Sequence, residues 1–306
     1  MRIVSLLPSA TEIVYALGLG ESLVGRSPEC DYPPEVAAKP VVSASVFDGT
    51  AMGSAEIDAT VRRHLESPAG AGSLYHIDRE RLRAARPDLI LTQALCDVCA
   101  ATVDEVRDAA GALDSAPEVL TLSPTSLDDI LEDILVIGER TGRRDRAKAL
   151  VNELRARLAA VRARAAGGDE PRVACVEWLD PIFNAGHWVP QQVEYAGGRE
   201  VLGAMGKPSR TVPWDRVVAA KPDVLVLMPC GFDVARAAAE ASLITEREGF
   251  PEMPAAREGR VFLVNGSAYF NRPGPRTVDG VELLAHLLHP DRFPKAWPDS
   301  AARRLT

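Results

Sequence analysis

The sequence predicts an α/β protein of two lobes with parallel sheets, joined by a single long, stiff helix. Three observations predict it. First, Glu80-Arg81-Leu82-Arg83-Ala84-Ala85-Arg86-Pro87-Asp88-Leu89-Ile90-Leu91 recurs 135 residues later as Asp215-Arg216-Val217-Val218-Ala219-Ala220-Lys221-Pro222-Asp223-Val224-Leu225-Val226. In each copy Pro-Asp ends a short helix, and the aliphatic run after it suits a parallel strand covered on both faces. Second, both halves open on an apolar strand, RIVSLL at 2–7 and RVACVEWL at 172–179. Third, residues 145–166 lie between the copies and contain neither Gly nor Pro.

The elements follow in order. RIVSLL is a buried first strand. A short helix follows over 13–17, capped by Ser9 or Thr11 and stopped by Gly18 and Gly20. LVGRS at 23–27 is a second strand running into the loop Pro28-Glu29-Cys30-Asp31-Tyr32-Pro33-Pro34. Residues 43–56, rich in Ser and Gly, read as loop. A helix is expected over 57–65, closed off by Gly70 and Gly72. The first repeat strand leads to a loop with Cys96 and Cys99, then a helix and the strand VLTLS at 119–123. Ser126-x-x-Asp129 opens the next helix in the manner of a capping box. Asp145 then caps the long helix, whose Leu150, Leu154, Leu158 and Val161 form a narrow apolar stripe in an otherwise charged surface. At 1.5 Å per residue it spans roughly 33 Å, and so polar a helix suits a bridge more than a core. The second half repeats the pattern, with Cys230 in the loop after its repeat strand and VFLVN at 261–265 as a further strand. The predicted organisation is an N-terminal lobe over 1–144, a linking helix over 145–167 and a C-terminal lobe over 168–306.

Composition narrows the function. The chain has 306 residues, a net charge of −8 and no long basic run, which argues against nucleic acid as a partner. No apolar run reaches the length of a membrane span. Five cysteines in a chain this long are not a disulfide framework and agree with a reducing compartment. Glu12 interrupts the apolar start, one Arg precedes it, and no lipid-attachment Cys follows. As written, the chain is therefore expected in the cytoplasm; a trimmed start would make it periplasmic or surface-anchored. No nucleophile elbow, P-loop or GxGxxG is present, so the chain is expected not to be an enzyme.

The order of elements resembles the periplasmic-binding-protein-like substrate-binding proteins of iron-siderophore, heme and cobalamin ABC importers. It is most similar to the cobalamin-binding members, which carry a near-copy of Ser27-x-x-x-Asp31-Tyr32-Pro33-Pro34 and a Gly186-x-x-x-x-Gln191-x-Val193-x-x-x-Gly197-Gly198 pattern. The resemblance implies two Rossmann-like lobes on a helical backbone, with a ligand held in the cleft between them. It also implies that Glu80 and Asp215 are surface carboxylates docking onto arginines of an ABC permease, a pairing that two guanidinium sockets would suit.

Independently of any family, ligands of parallel α/β lobes bind outside the carboxyl ends of the strands. That rule selects the loops 8–12, 28–34 and 93–99 in the first lobe and 178–188, 229–233 and 266–275 in the second. Tyr32, Trp178, Trp188, Tyr269 and Phe270 are the aromatic candidates, offering the flat apolar contact that a corrin or porphyrin face needs. Ser9, Glu29, Gln93 and Asp180 are polar candidates, and Arg272 would pair with a carboxylate or phosphate. His187 is a candidate axial ligand for a metal centre.

The leading reading is a binding protein for a small-molecule corrinoid or other tetrapyrrole, requiring no cofactor of its own. Cobalamin is the named ligand. A second reading stays open: a cytoplasmic metal- or thiol-dependent protein on the same scaffold, in which Cys30, Cys96, Cys99 and His187 hold zinc. Heme or a ferric siderophore is a third.

Overall fold

Arg2 and Asp88 set the first sheet, and Arg172 and Asp223 set the second in the same way. The backbone N–H of Arg2 donates to Asp88 Oδ2 at 2.7 Å, and that of Arg172 to Asp223 Oδ2 at 2.8 Å. The two guanidinium groups turn back onto the preceding helix: Arg2 Nε donates to Ala85 O at 2.8 Å and Arg172 Nε to Ala220 O at 3.1 Å. Between helix and strand, Arg86 and Lys221 adopt left-handed backbone angles, φ 41° and φ 44°, each just before a proline. A following proline disfavours the helical conformation, and a left-handed residue ends the helix. The sequence repeat is thus a repeat of atoms, a clasp that starts two neighbouring parallel strands level with one another.

The computed structural model describes residues 1–66, 73–94 and 101–305. Its contacts divide into two units. The first comprises Met1–Met52, Glu56–Pro124 and Leu131–Val151; the second comprises Gly53–Ala55, Thr125–Ile130 and Asn152–Thr306.

In the first lobe the strands are β1 (Ile3–Ser5), β2 (Leu23–Arg26), β3 (Ser43–Ser45), β4 (Tyr75–Ile77), β5 (Leu89–Gln93) and β6 (Glu118–Leu122). Four of them form a parallel sheet in the order β2-β1-β5-β6. All five β5 residues are buried, as a central strand with helices on both faces requires. Val4, Leu6, Ile90, Leu82 and Val106 pack in one core of this lobe.

Two expectations change here. The first helix spans Pro8–Ala16 rather than starting at residue 13, because Pro8 lacks an N–H and suits a first turn whose donors are unpaired anyway. Part of the Ser- and Gly-rich stretch at 43–56 is ordered: β3 pairs antiparallel with β4, and a helix begins at Ser54. The alternation that would mark β3 is too short, at three residues, to be read from sequence.

The second lobe holds β7 (Arg172–Leu179), β8 (Ile182–Asn184), β9 (Arg199–Glu200), β10 (Arg210–Thr211), β11 (Val224–Leu227), β12 (Val261–Val264) and β13 (Ala302–Arg304). They form one mixed sheet in the order β10-β8-β7-β11-β12-β13, with β9 added beside β7. Its centre, β7-β11-β12, is parallel, and its flanks β8, β10 and β13 are antiparallel.

The long helix spans Arg144–Ala165, 22 residues. Asp145 lies in its first turn rather than capping it. The predicted stripe of Leu150, Leu154, Leu158 and Val161 is buried, together with Ala147, Val151 and Ala165. Within the second unit, its outer half is tied down by charge. Arg157 pairs with Asp279 and, at 2.8 Å, with Glu282, both on the helix Thr277–Leu288. Burial alone would raise the Glu282 carboxyl, but the hydrogen bond and charge of Arg157, with help from Lys295, hold it below its ordinary range. The last carbonyls of the long helix, Arg164 O and Ala165 O, and Ala166 O just beyond it all accept from Arg292 Nη1, a cation at the negative end of a helix.

Candidate functional site

Each lobe presents a set of loops at the carboxyl edge of its parallel strands. In the first lobe, Arg26 shapes one of them. Its Nη1 donates to Ser27 O at 3.1 Å, Cys30 O at 3.2 Å and Pro28 O at 3.3 Å, wrapping the loop around a single guanidinium. The Ser27 hydroxyl accepts from Glu29 N at 3.3 Å. Tyr32 in that loop is 43% exposed, in a chain whose large apolar side chains are mostly covered. Glu29 is also exposed. Ser9, Glu12 and Gln93 are buried, as is Thr92, whose hydroxyl meets no partner among the described residues.

Cys30 lies inside this lobe, 1% exposed, and its sulfur accepts from Thr11 Oγ1 at 3.1 Å. Cys96 and Cys99 fall outside the described residues. Among the described residues no three His, Cys, Asp or Glu side chains gather to hold a metal ion.

In the second lobe the edge is built around a bulge. β7 pairs with β8 through Val176↔Asn184 and then Trp178↔Phe183, leaving Glu177 as the extra residue. A bulge re-aims the side chain it carries. The Glu177 carboxyl belongs to the same edge as Gly186 and Ser209, whose buried hydroxyl meets no hydrogen-bond partner among the described residues. Burial pushes it up to about 7, and the polar neighbours Ser209 and Gly186 only partly offset the effect.

The two loops above it interlock. His187 N donates to Lys207 O at 2.7 Å and His187 O accepts from Gly206 N at 2.9 Å. A Cβ on Gly186 would lie 2.4 Å from Lys207 O, so only glycine permits the approach. His187 itself takes a left-handed φ of 52°. Burial lowers the pKa of its imidazole, which favours the neutral ring with a free lone pair.

Aromatic and charged groups complete this edge. Trp178 stands edge-on to Phe232 with centroids 5.4 Å apart, and the Arg236 guanidinium lies 3.9 Å from the Phe232 ring. Asp180 is met by Arg247 Nη2 at 3.8 Å. Arg272 is half-buried. Tyr269 is partly exposed and packs edge-on to Trp297 at 5.9 Å.

Two aromatic expectations are corrected. Trp188 is 4% exposed and Phe270 0% exposed, and the Trp188 indole N–H donates to Phe270 O at 2.7 Å. An indole wants one apolar side and one acceptor, and this pair supplies both inside the lobe. Neither ring is open to a ligand.

A family model described as periplasmic binding protein matches residues 3–268. The chain belongs to that family. The "Uncharacterized ABC transporter substrate-binding lipoprotein YvrC" of Bacillus subtilis is 26% identical over 303 residues, covering 95% of this chain and 81% of the relative. The vitamin B12-binding protein of Vibrio cholerae is 25% identical over 289 residues, covering 94% of this chain and 88% of the relative. Among solved structures, the periplasmic heme-binding protein RhuT of Roseiflexus is similar with a TM-score of 0.71 and 23% identity, covering 95% of this chain and 98% of that one. The vitamin B12-binding protein BtuF of Vibrio cholerae follows at 0.65 and 23%, covering 94% and 96%. At these identities the structures show the shared fold.

The chain is accordingly an α/β protein of two lobes with a long connecting helix, the fold of the periplasmic binding proteins it is similar to. No helix among the described residues is long and apolar enough to cross a membrane. Within this family frame the Gly186-to-Gly198 pattern is structural. Gln191 Oε1 accepts from Leu127 N at 2.7 Å, and Gln192 Nε2 reaches Tyr269 O and Thr277 O at 3.1 and 2.8 Å. Glu80 and Asp215 both stand exposed in the first turn of the short helix before their lobe's repeat strand.

Sequence reasoning passed over Glu177, Ser209, Phe232 and Arg236. The available signal was the single carboxylate inside the apolar run RVACVEWL, an acid that a fully buried strand does not tolerate unpaired; the strand is in fact half-open at Glu177 and Trp178.

Proposed function

We propose that this chain binds a cobalamin-like corrinoid at the carboxyl edges of its sheets and delivers it to an ABC permease. The observation that carries the reading is Tyr32: an aromatic ring 43% exposed on a loop braced by Arg26, in the Ser27-x-x-x-Asp31-Tyr32-Pro33-Pro34 stretch. Likeness to vitamin B12-binding proteins along 94% of the chain supports the choice of ligand. Tyr32 and Trp178 supply stacking surface, and His187 supplies a neutral imidazole for the central metal. The relatives' names, a lipoprotein among them, support a place outside the cytoplasm.

Calorimetric titration with cyanocobalamin tests the reading. Saturable binding at micromolar or tighter affinity is expected, and Tyr32→Ala is expected to weaken it roughly tenfold, in line with about 1 kcal/mol for an aromatic contact. Absence of both heat and tryptophan-fluorescence change at micromolar protein sinks it.

A further inference from the structure

Charge is unevenly spread along this chain. The long helix Arg144–Ala165 carries seven basic and two acidic residues, in a protein whose net charge is −8. The acid excess therefore lies elsewhere, and the helix is a basic strip on an acidic protein. Arg144, Arg146, Lys148, Arg155, Arg162 and Arg164 are all exposed.

Their spacing puts these cations in order. At about 3.6 residues per turn, Arg144, Lys148, Arg155 and Arg162 share one row, and the last three stand about 10 Å apart along the helix. Arg146 and Arg164 fall on the other shoulder, with Glu153 between them. Facing away from the buried Leu154 stripe, the crest between the shoulders carries Ala149, Asn152, Ala156, Ala159, Ala160 and Ala163, all exposed. The acid on this crest, Asp145, stands in the first turn. Long basic side chains on both shoulders reach past so short a crest to a flat surface laid against it.

Neighbouring contacts neutralise little of this charge. Arg144 meets Glu139 at 2.9 Å, whereas Arg146 Nε donates to a neutral acceptor, Ala16 O, at 3.1 Å. The Arg162 and Arg164 guanidinium groups lie 5.4 and 5.1 Å from the ring centroids of Tyr195 and Phe293, which steadies them and leaves them charged. Lys148 and Arg155 form no ion pair among the described residues. Arg157 is the basic residue turned inward, to Asp279 and Glu282.

A protein partner is anchored by buried aromatic or large aliphatic side chains, and this crest presents none. A surface dense in phosphate needs charge and a clear approach. We propose that the exposed face of the long helix docks the protein onto an anionic phospholipid bilayer, with Lys148, Arg155 and Arg162 set against lipid phosphates. This shares with the reading above the place outside the cytoplasm, which favours a bilayer over nucleic acid as the source of phosphates, and it is independent of the cargo.

The test is co-sedimentation of the full chain, without cargo, with vesicles of phosphatidylcholine alone or with about 30 mol% phosphatidylglycerol. At about 50 mM salt, binding to the anionic vesicles is expected to be at least about tenfold tighter than to the neutral ones, and about 300 mM salt is expected to remove most of it through screening. Each cation near such a surface strengthens binding about fivefold, so Lys148→Gln with Arg155→Gln is expected to weaken it about tenfold or more, and Lys148→Glu with Arg155→Glu to abolish it. If the Glu pair lowers the thermal unfolding midpoint, the Gln pair decides. No preference for phosphatidylglycerol, or equal binding by wild type and the Gln pair, overturns the proposal. A dimer in sedimentation that the Gln pair dissolves also overturns it, since the face then belongs to a second copy. So does tighter binding to a double-stranded oligonucleotide than to the vesicles at equal phosphate concentration. Failure of the cyanocobalamin titration removes the cargo reading and leaves the vesicle result standing.

Discussion

At the residue scale, burial does most to set Glu177's behaviour. The unfolded chain releases this proton near the ordinary value of 4.5, while the folded chain keeps it to about 7. Between those values the folded state binds more protons than the unfolded state, so stability attributable to this group falls as pH rises and levels off above about 7. Glu177→Gln has no such proton. Its stability relative to wild type is therefore expected to grow from pH 4.5 to 7, by at most about 3 kcal/mol given the partial exposure of the residue. Urea denaturation of both proteins across that range measures it, and parallel curves would remove the argument. Glu200 adds a second buried acid to the same lobe. Its Oε1 accepts from the N–H groups of Val201, Leu202 and Gly203 at 3.1, 2.9 and 3.2 Å, yet burial still raises its pKa.

At the scale of elements, the duplicated clasp gives a matched pair of measurements. Asp88 and Asp223 make the same bonds to Arg2 and Arg172, but Asp88 has 57% of its side chain exposed and Asp223 is half-buried. Removing an acceptor costs most where water cannot replace it. Asp223→Ala is expected to cost roughly 1–3 kcal/mol and Asp88→Ala less than about 1 kcal/mol, read from denaturant midpoints. The reverse order would mean that the two copies bear load differently from what their geometry implies. This clasp also marks what the sequence made legible. The twelve-residue echo located both helix-strand junctions because proline and aspartate act locally, through backbone sterics and one hydrogen bond. β3 and β4 escaped because their pairing depends on a partner some thirty residues away in sequence rather than on any local pattern. Trp188 and Phe270 looked like ligand contacts because sequence shows an aromatic beside Gly and Pro but not the carbonyl that will accept its indole proton. Glu177 was hidden for a related reason: a bulge is a property of two strands in register, and only one of them carries the acid.

At the scale of the whole molecule, membership of the periplasmic binding protein family turns two exposed acids into a testable contact. Glu80 and Asp215 occupy equivalent places in the two lobes and lie away from the carboxyl-edge loops, in helices that precede the repeat strands. If Glu80 and Asp215 dock onto a permease as the resemblance implies, Glu80→Lys with Asp215→Lys is expected to leave cyanocobalamin affinity unchanged while lowering transport with the cognate permease in vesicles by tenfold or more, since like charges would then meet. Equal losses of binding and transport would place these acids in ligand recognition instead.

The Arg2 clasp has a practical consequence. Because Arg2 is pinned at the amino end of β1, anything joined ahead of Met1 leaves this lobe from the side of the sheet opposite Tyr32 and its loop. A lipid tether or an affinity handle attached there would keep clear of this lobe's Tyr32 loop, so immobilisation by the front end for surface-plasmon measurements leaves that loop open to solution.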